Sequence, residues 1–167
     1  MRVVVADATP LRYLILIDAM DVLPRLFERI YVPLEVRDEL TRAATPALVK
    51  AWMQREPDWL EIVSRPIACG AESALATLDA GEQAAITLAE SLRADLLLID
   101  DRAGATIAQR RGLTVTGTLG VLDLASRAGL VDLRTAFERL QKTNFRYPPS
   151  LVERLLDEER ERRRSSD

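Results

Sequence analysis

The chain has 167 residues, 48% of them hydrophobic and 29% charged, with a net charge of −3. That is the composition of one folded domain with a sizeable core, and it excludes a disordered, fibrous or disulfide-built chain. There is no histidine and a single cysteine, Cys69, which excludes histidine-based triads, imidazole zinc sites, an internal disulfide and cysteine metal clusters; any metal would be held by oxygen, pointing to Mg²⁺ or Mn²⁺.

In chain order, R-V-V-V-A (2–6) is β-branched and continuous, which suits a central parallel strand covered on both faces. Thr9-Pro10 reads as a helix start, threonine as N-cap and proline at the first helical position, for a helix over 10–18. A short helix over 21–28 and a strand at 29–32 follow. Pro33 opens a helix running to Leu40, and the helical pattern resumes over 47–55 after a break near Thr45-Pro46. W-L-E-I-V (59–63) alternates and reads as an edge strand. Residues 64–80 are weakly patterned, a loop with a helical turn at 72–78.

Gly81–Leu92 is an amphipathic helix with Ile86, Leu88, Ala89 and Leu92 on its apolar side. Leu96–Ile99 is a second buried strand, Arg102–Arg111 a helix stopped by Gly112, and 113–116 a strand. Helices over 118–128, 132–142 and 149–163 complete the chain, with a charged tail expected to fray. Strands alternating with helices predict an α/β fold, a three-layer α/β/α arrangement around a mainly parallel sheet. Residues 1–150 are expected to form the domain, and 151–167 a C-terminal helix and charged tail. The apolar runs are too short to span a bilayer, and no basic start leads into an apolar signal segment. The expectation is a cytoplasmic protein that makes no membrane contact.

Ligand sites in such sheets lie beyond the carboxyl ends of the strands. Two strands end in acid: Asp7 follows V-V-V-A, and Asp100 and Asp101 follow L-L-L-I. If these strands are parallel neighbours, their carboxylates emerge on one edge. With Thr9 assigned to capping, Asp7 is left for function. In the aspartate pair, one acid can cap the next helix, which leaves the second open to a site. Glu39 borders the apolar stripe of its helix and reads as a solvated edge residue or as a site acid. Glu82, three residues after Asp79, fits a capping box or a site. Carboxylates gathered together repel and need a cation. A hard divalent ion on carboxylates is the usual equipment for attacking phosphodiesters.

These residues resemble the PIN-domain ribonucleases, the fold of VapC-like toxins. The resemblance is carried by D-A-T-P-L (7–11), V-P-L-E-V-R-D-E-L (32–40), G-E-Q-A-A-I (81–86) and the run L-L-I-D-D-R-A-G…V-T-G-T-L-G (97–120), and it covers roughly residues 2–130. It implies a Mg²⁺- or Mn²⁺-dependent endoribonuclease, often a homodimer, that cuts RNA and is silenced by a small antitoxin protein. Mapped onto this sequence, the four acids are Asp7, Glu39, Glu82 and Asp101, with Asp100 as the alternative to the last. The chain departs from the pattern in having glutamate at the third acid and Gly104-Ala105 where the family usually has Gly-Arg.

Thr9 lies near where such a metal would sit as well as at a cap. Arg102 suits either a phosphate contact or an ion pair with Asp100 or Asp101. Arg110 and Arg111 favour a helix C-terminus, T-G-T-L-G (116–120) a tight strand-to-helix turn rather than a phosphate loop, and Trp52 and Trp59 core packing. The stripe Leu151, Val152, Leu155, Leu156 packs on the domain or serves a dimer or antitoxin surface. Two other classes compete with a nuclease. A phosphoryl-transfer domain also places aspartates at strand ends, but neither Lys50 nor Lys142 follows a strand. The other is a non-catalytic PIN-like module that binds RNA or protein.

Overall fold

A computed structural model describes residues 2–64 and 74–166. Five strands form one sheet: β1 (Val4–Ala6), β2 (Ile30–Pro33), β3 (Leu60–Val63), β4 (Leu96–Leu98) and β5 (Val115–Thr116), in the order β3-β2-β1-β4-β5. Every pairing is parallel. Among the described residues the helices are α1 (Ala8–Leu16), α2 (Val22–Phe27), α3 (Leu34–Leu40), α4 (Ala47–Met53), α5 (Ala80–Ser91), α6 (Arg102–Arg110), α7 (Thr118–Arg127), α8 (Leu133–Gln141) and α9 (Pro149–Ser166), with a 3₁₀ turn at Leu75–Thr77. The loop expected over 64–80 is described only in part, and Cys69 lies outside the described residues.

The unbroken apolar strands have a direct cause. Val4, Ala6, Leu96 and Leu98 point into one core, which the helices of the N- and C-terminal thirds cover. Val5, Leu97 and Ile99 point into a second core beneath α5 and α6, with Ala85, Ile86, Ala89 and Ala108. A strand buried on both faces cannot alternate polar with apolar. These two cores are the outer spaces of a three-layer α/β/α fold. β3 is the edge strand its alternation suggested, and Trp52 and Trp59 pack on each other, ring centroids 5.8 Å apart, against the first core.

The C-terminal tail differs from expectation. It stays helical to Ser166 rather than fraying, because α9 is tied down twice. Val152 and Leu155 enter the first core. The basic end then meets acids on the helices beneath: Arg162 donates to Asp123 at 3.1 Å and Arg163 to Asp132 at 3.0 Å. No described helix is long and apolar enough to cross a membrane.

Candidate active site

The strand order fixes where a site belongs. From β1 the chain crosses to β2 on one side; from β4 it crosses to β5 on the other. The crevice at this reversal opens at the carboxyl ends of β1 and β4, the topological switch point. Asp7 stands there, its backbone N–H donating to the Leu98 carbonyl at 2.9 Å.

The start of α1 differs from the sequence reading. The helix begins at Ala8, so Thr9 lies within it and is not its N-cap; Asp7 holds the cap position, in extended backbone conformation. Pro10 is tolerated inside the first turn because none of the first four N–H groups has an intrahelical partner. The Asp7 side chain nevertheless makes no capping hydrogen bond. It is 3% exposed, and its Oδ1 is the one buried side-chain polar atom without a partner among the described residues. Burial, opposed by the Ala8 N–H and reinforced by the charges of Glu82, Asp79 and Glu39, pushes its pKa up to about 7.

Glu39 comes from α3 and Glu82 from the start of α5, two helices in close contact. Burial raises both pKa values. For Glu39 the charge of Asp79 adds to the rise, while Arg42 and Arg12 oppose it. For Glu82 the Asp79 N–H opposes it, and Asp79, Asp101 and Glu39 add. The electrostatically coupled set is therefore Asp7, Glu39, Glu82 and Asp79, with Asp101 acting on Glu82. From the sequence Asp79 is only a cap. It is one: its Oδ1 accepts from the Glu82 N–H at 2.8 Å, and its own N–H donates to Glu82 Oε2 at 3.2 Å, a closed capping box. Only the packing of α5 against α3 brings it into the acid group, so no local pattern in the sequence marks it. Arg12 and Arg42, whose charges act on Glu39, carry no local signal in the sequence either.

The aspartate pair divides. Asp101 caps α6, accepting from the Gly104 N–H at 2.7 Å. Asp100 turns to a different helix and accepts from the N–H and hydroxyl of Thr118, the first residue of α7, at 2.8 and 2.6 Å. Both acids thus have a helix N-terminus to satisfy, so capping accounts for two acids where the sequence offered a partner for one. Burial raises the Asp100 pKa against the two Thr118 hydrogen bonds. Gly117 in T-G-T-L-G is needed for space, since a Cβ there would overlap Asp100 Oδ1. Arg102 is exposed and makes no ion pair with Asp100 or Asp101. Arg111 instead clasps Glu90 on α5 through two hydrogen bonds, 2.6 and 2.9 Å.

The donor set suits a hard cation: it is all carboxylate, and its most buried member carries an oxygen with no protein partner. Among the described residues no three acids stand together at ion-holding distance as the side chains lie.

No curated protein matches the sequence. A family model, DUF3368, described as a PIN domain, matches residues 3–161. PIN domains are commonly nucleases and generally bind divalent metals. The parallel five-stranded sheet between helical layers is the architecture this family implies, and the match spans nearly the whole chain: it belongs to the PIN-domain family.

Proposed function

We propose that the chain is a Mg²⁺- or Mn²⁺-dependent endoribonuclease, the VapC-like toxin of a toxin–antitoxin pair, active in the cytoplasm as a homodimer and silenced by a small antitoxin protein. The observation that carries the nuclease reading is Asp7 Oδ1, buried and unpartnered at the switch point among Glu39, Glu82 and Asp79. A fold leaves such an oxygen without a hydrogen bond at a cost of about 1–3 kcal/mol, more when charged, and functional sites are where that cost is met. Asp7, Glu39 and Glu82 would hold the ion, with Asp101 at the rim and Asp100 held back by Thr118. When bound, a divalent cation supplies charge stabilisation at the phosphate and a more acidic water. The chain's own contribution is positional. β1 and α1 fix Asp7, the capping box fixes Glu82, and α3 carries Glu39 to the start of α5. Arg12, Arg42 and Arg102 present cations for the RNA backbone, and Thr9 a hydroxyl for a phosphate oxygen.

The test is cleavage of a mixed structured RNA with Mn²⁺, with EDTA, and by Asp7→Asn. Cleavage only by the unmodified chain with metal supports the reading; equal cleavage in all three overturns it. A second reading, a non-catalytic PIN-like module, draws on the capping duties of Glu82 and Asp101 and on the absence of a ready three-acid cage among the described residues. RNA binding in Mn²⁺ without any cleavage would select it.

A further inference from the structure

Gly81 is the second residue of the 12-residue helix α5. Its φ is not in the left-handed region, so backbone conformation does not call for glycine, and alanine would favour the helix more. Space is what calls for it. A Cβ at this position would lie 2.8 Å from Glu39 Oε2, 3.4 Å from Asp79 Oδ1 and 3.6 Å from Val36 Cγ2. The last two are ordinary contacts; the first is not. The Glu39 carboxylate thus rests directly over the first turn of α5, where the helix dipole favours a negative charge. The capping box fixes Asp79 and Glu82 at the same helix start.

We propose that Gly81 is a positioning residue: the side chain it lacks is the notch in which the Glu39 carboxylate seats, and this seat fixes where Glu39 lies among the acids whose charges act on Asp7. The consequence for metal binding rests on the proposed function; the seat itself does not. A Cβ at 81 meets the mobile end of a side chain rather than backbone, so Gly81→Ala folds and Glu39 swings out.

The experiment is a double-mutant cycle on the full chain with Gly81→Ala, Glu39→Ala and both together, read by Mn²⁺ titration calorimetry and by thermal unfolding without metal. Gly81→Ala is expected to lower Mn²⁺ affinity at least tenfold in the unmodified chain and to leave it unchanged once Glu39 is alanine. Its gain in Tm is expected to be larger in the Glu39→Ala background, where nothing occupies the notch. Equal losses of Mn²⁺ affinity in both backgrounds, or equal Tm shifts in both, would overturn the proposal. If the unmodified chain takes up no Mn²⁺, the metal reading fails and the thermal arm alone decides the seat.

Discussion

A carboxylate that is 3% exposed, with one oxygen unpartnered, costs the fold free energy whenever it is charged. For Asp7 the sign is fixed by the direction of its shift. Its pKa is raised from 3.8 to about 7 by burial, so the folded state holds a proton that the unfolded state releases. Stability from this group is complete below the unfolded value and is lost as pH rises through about 7; the full loss is on the order of 4 kcal/mol. Glu39 and Glu82 shift in the same direction and steepen the loss. Urea unfolding of the metal-free chain should therefore show stability falling between weakly acid and neutral pH. In Asp7→Asn the fall should be much shallower, and the variant should be the more stable protein at neutral pH. The place of Asp7 at the end of a buried strand was legible in the sequence; its burial with an unpartnered oxygen was not, and Thr9 does not cap the helix. Asp79 was not legible, because its second role depends on α3 arriving beside α5.

At the scale of elements, the acids that follow β4 act as fasteners. Asp101 caps its own helix from an exposed position, and its replacement by alanine should cost about 1 kcal/mol. Asp101→Asn keeps a capping oxygen and should leave stability nearly unchanged, so any loss of activity in it speaks for a role at the site. Asp100 satisfies two groups of Thr118, a residue with no exposure, and Asp100→Ala should cost about 2–4 kcal/mol by leaving both unpaired. Chemical denaturation of the three variants gives the order directly. Capping by Asp101 could be read from the next few residues. Capping by Asp100 could not, since its partner lies 18 positions away and meets it only once β5 pairs with β4. The same limit hid the Arg111–Glu90 clasp between α6 and α5.

For the whole molecule, periodicity was a sufficient guide to architecture. Continuous apolar strands implied a sheet covered on both faces, and alternation at 59–63 implied an edge; both follow from which layers each strand meets. The strand order, and with it the switch point, is set by which crossovers go left and which go right, and no local pattern in the sequence encodes it. α9 shows how a composition rule can miss. Its end is charged enough to suggest fraying, yet Val152 and Leu155 anchor it and Asp123 and Asp132 receive its arginines. Deleting residues 149–167 should remove two core side chains worth about 1.5–3 kcal/mol each and lower the Tm by more than any single substitution described above, with circular dichroism as the readout.

The central claim is that the lone oxygen of Asp7 is there for a divalent cation. Titration calorimetry of Mn²⁺ into the chain and into Asp7→Asn, near neutral pH and in two buffers of different ionisation heat, tests it most directly. The account predicts binding by the unmodified chain with release of a proton. It also predicts at least a tenfold loss of affinity, about 1.4 kcal/mol, together with loss of that proton, in Asp7→Asn. Equal Mn²⁺ affinity in the two proteins, or no binding by either, would contradict it.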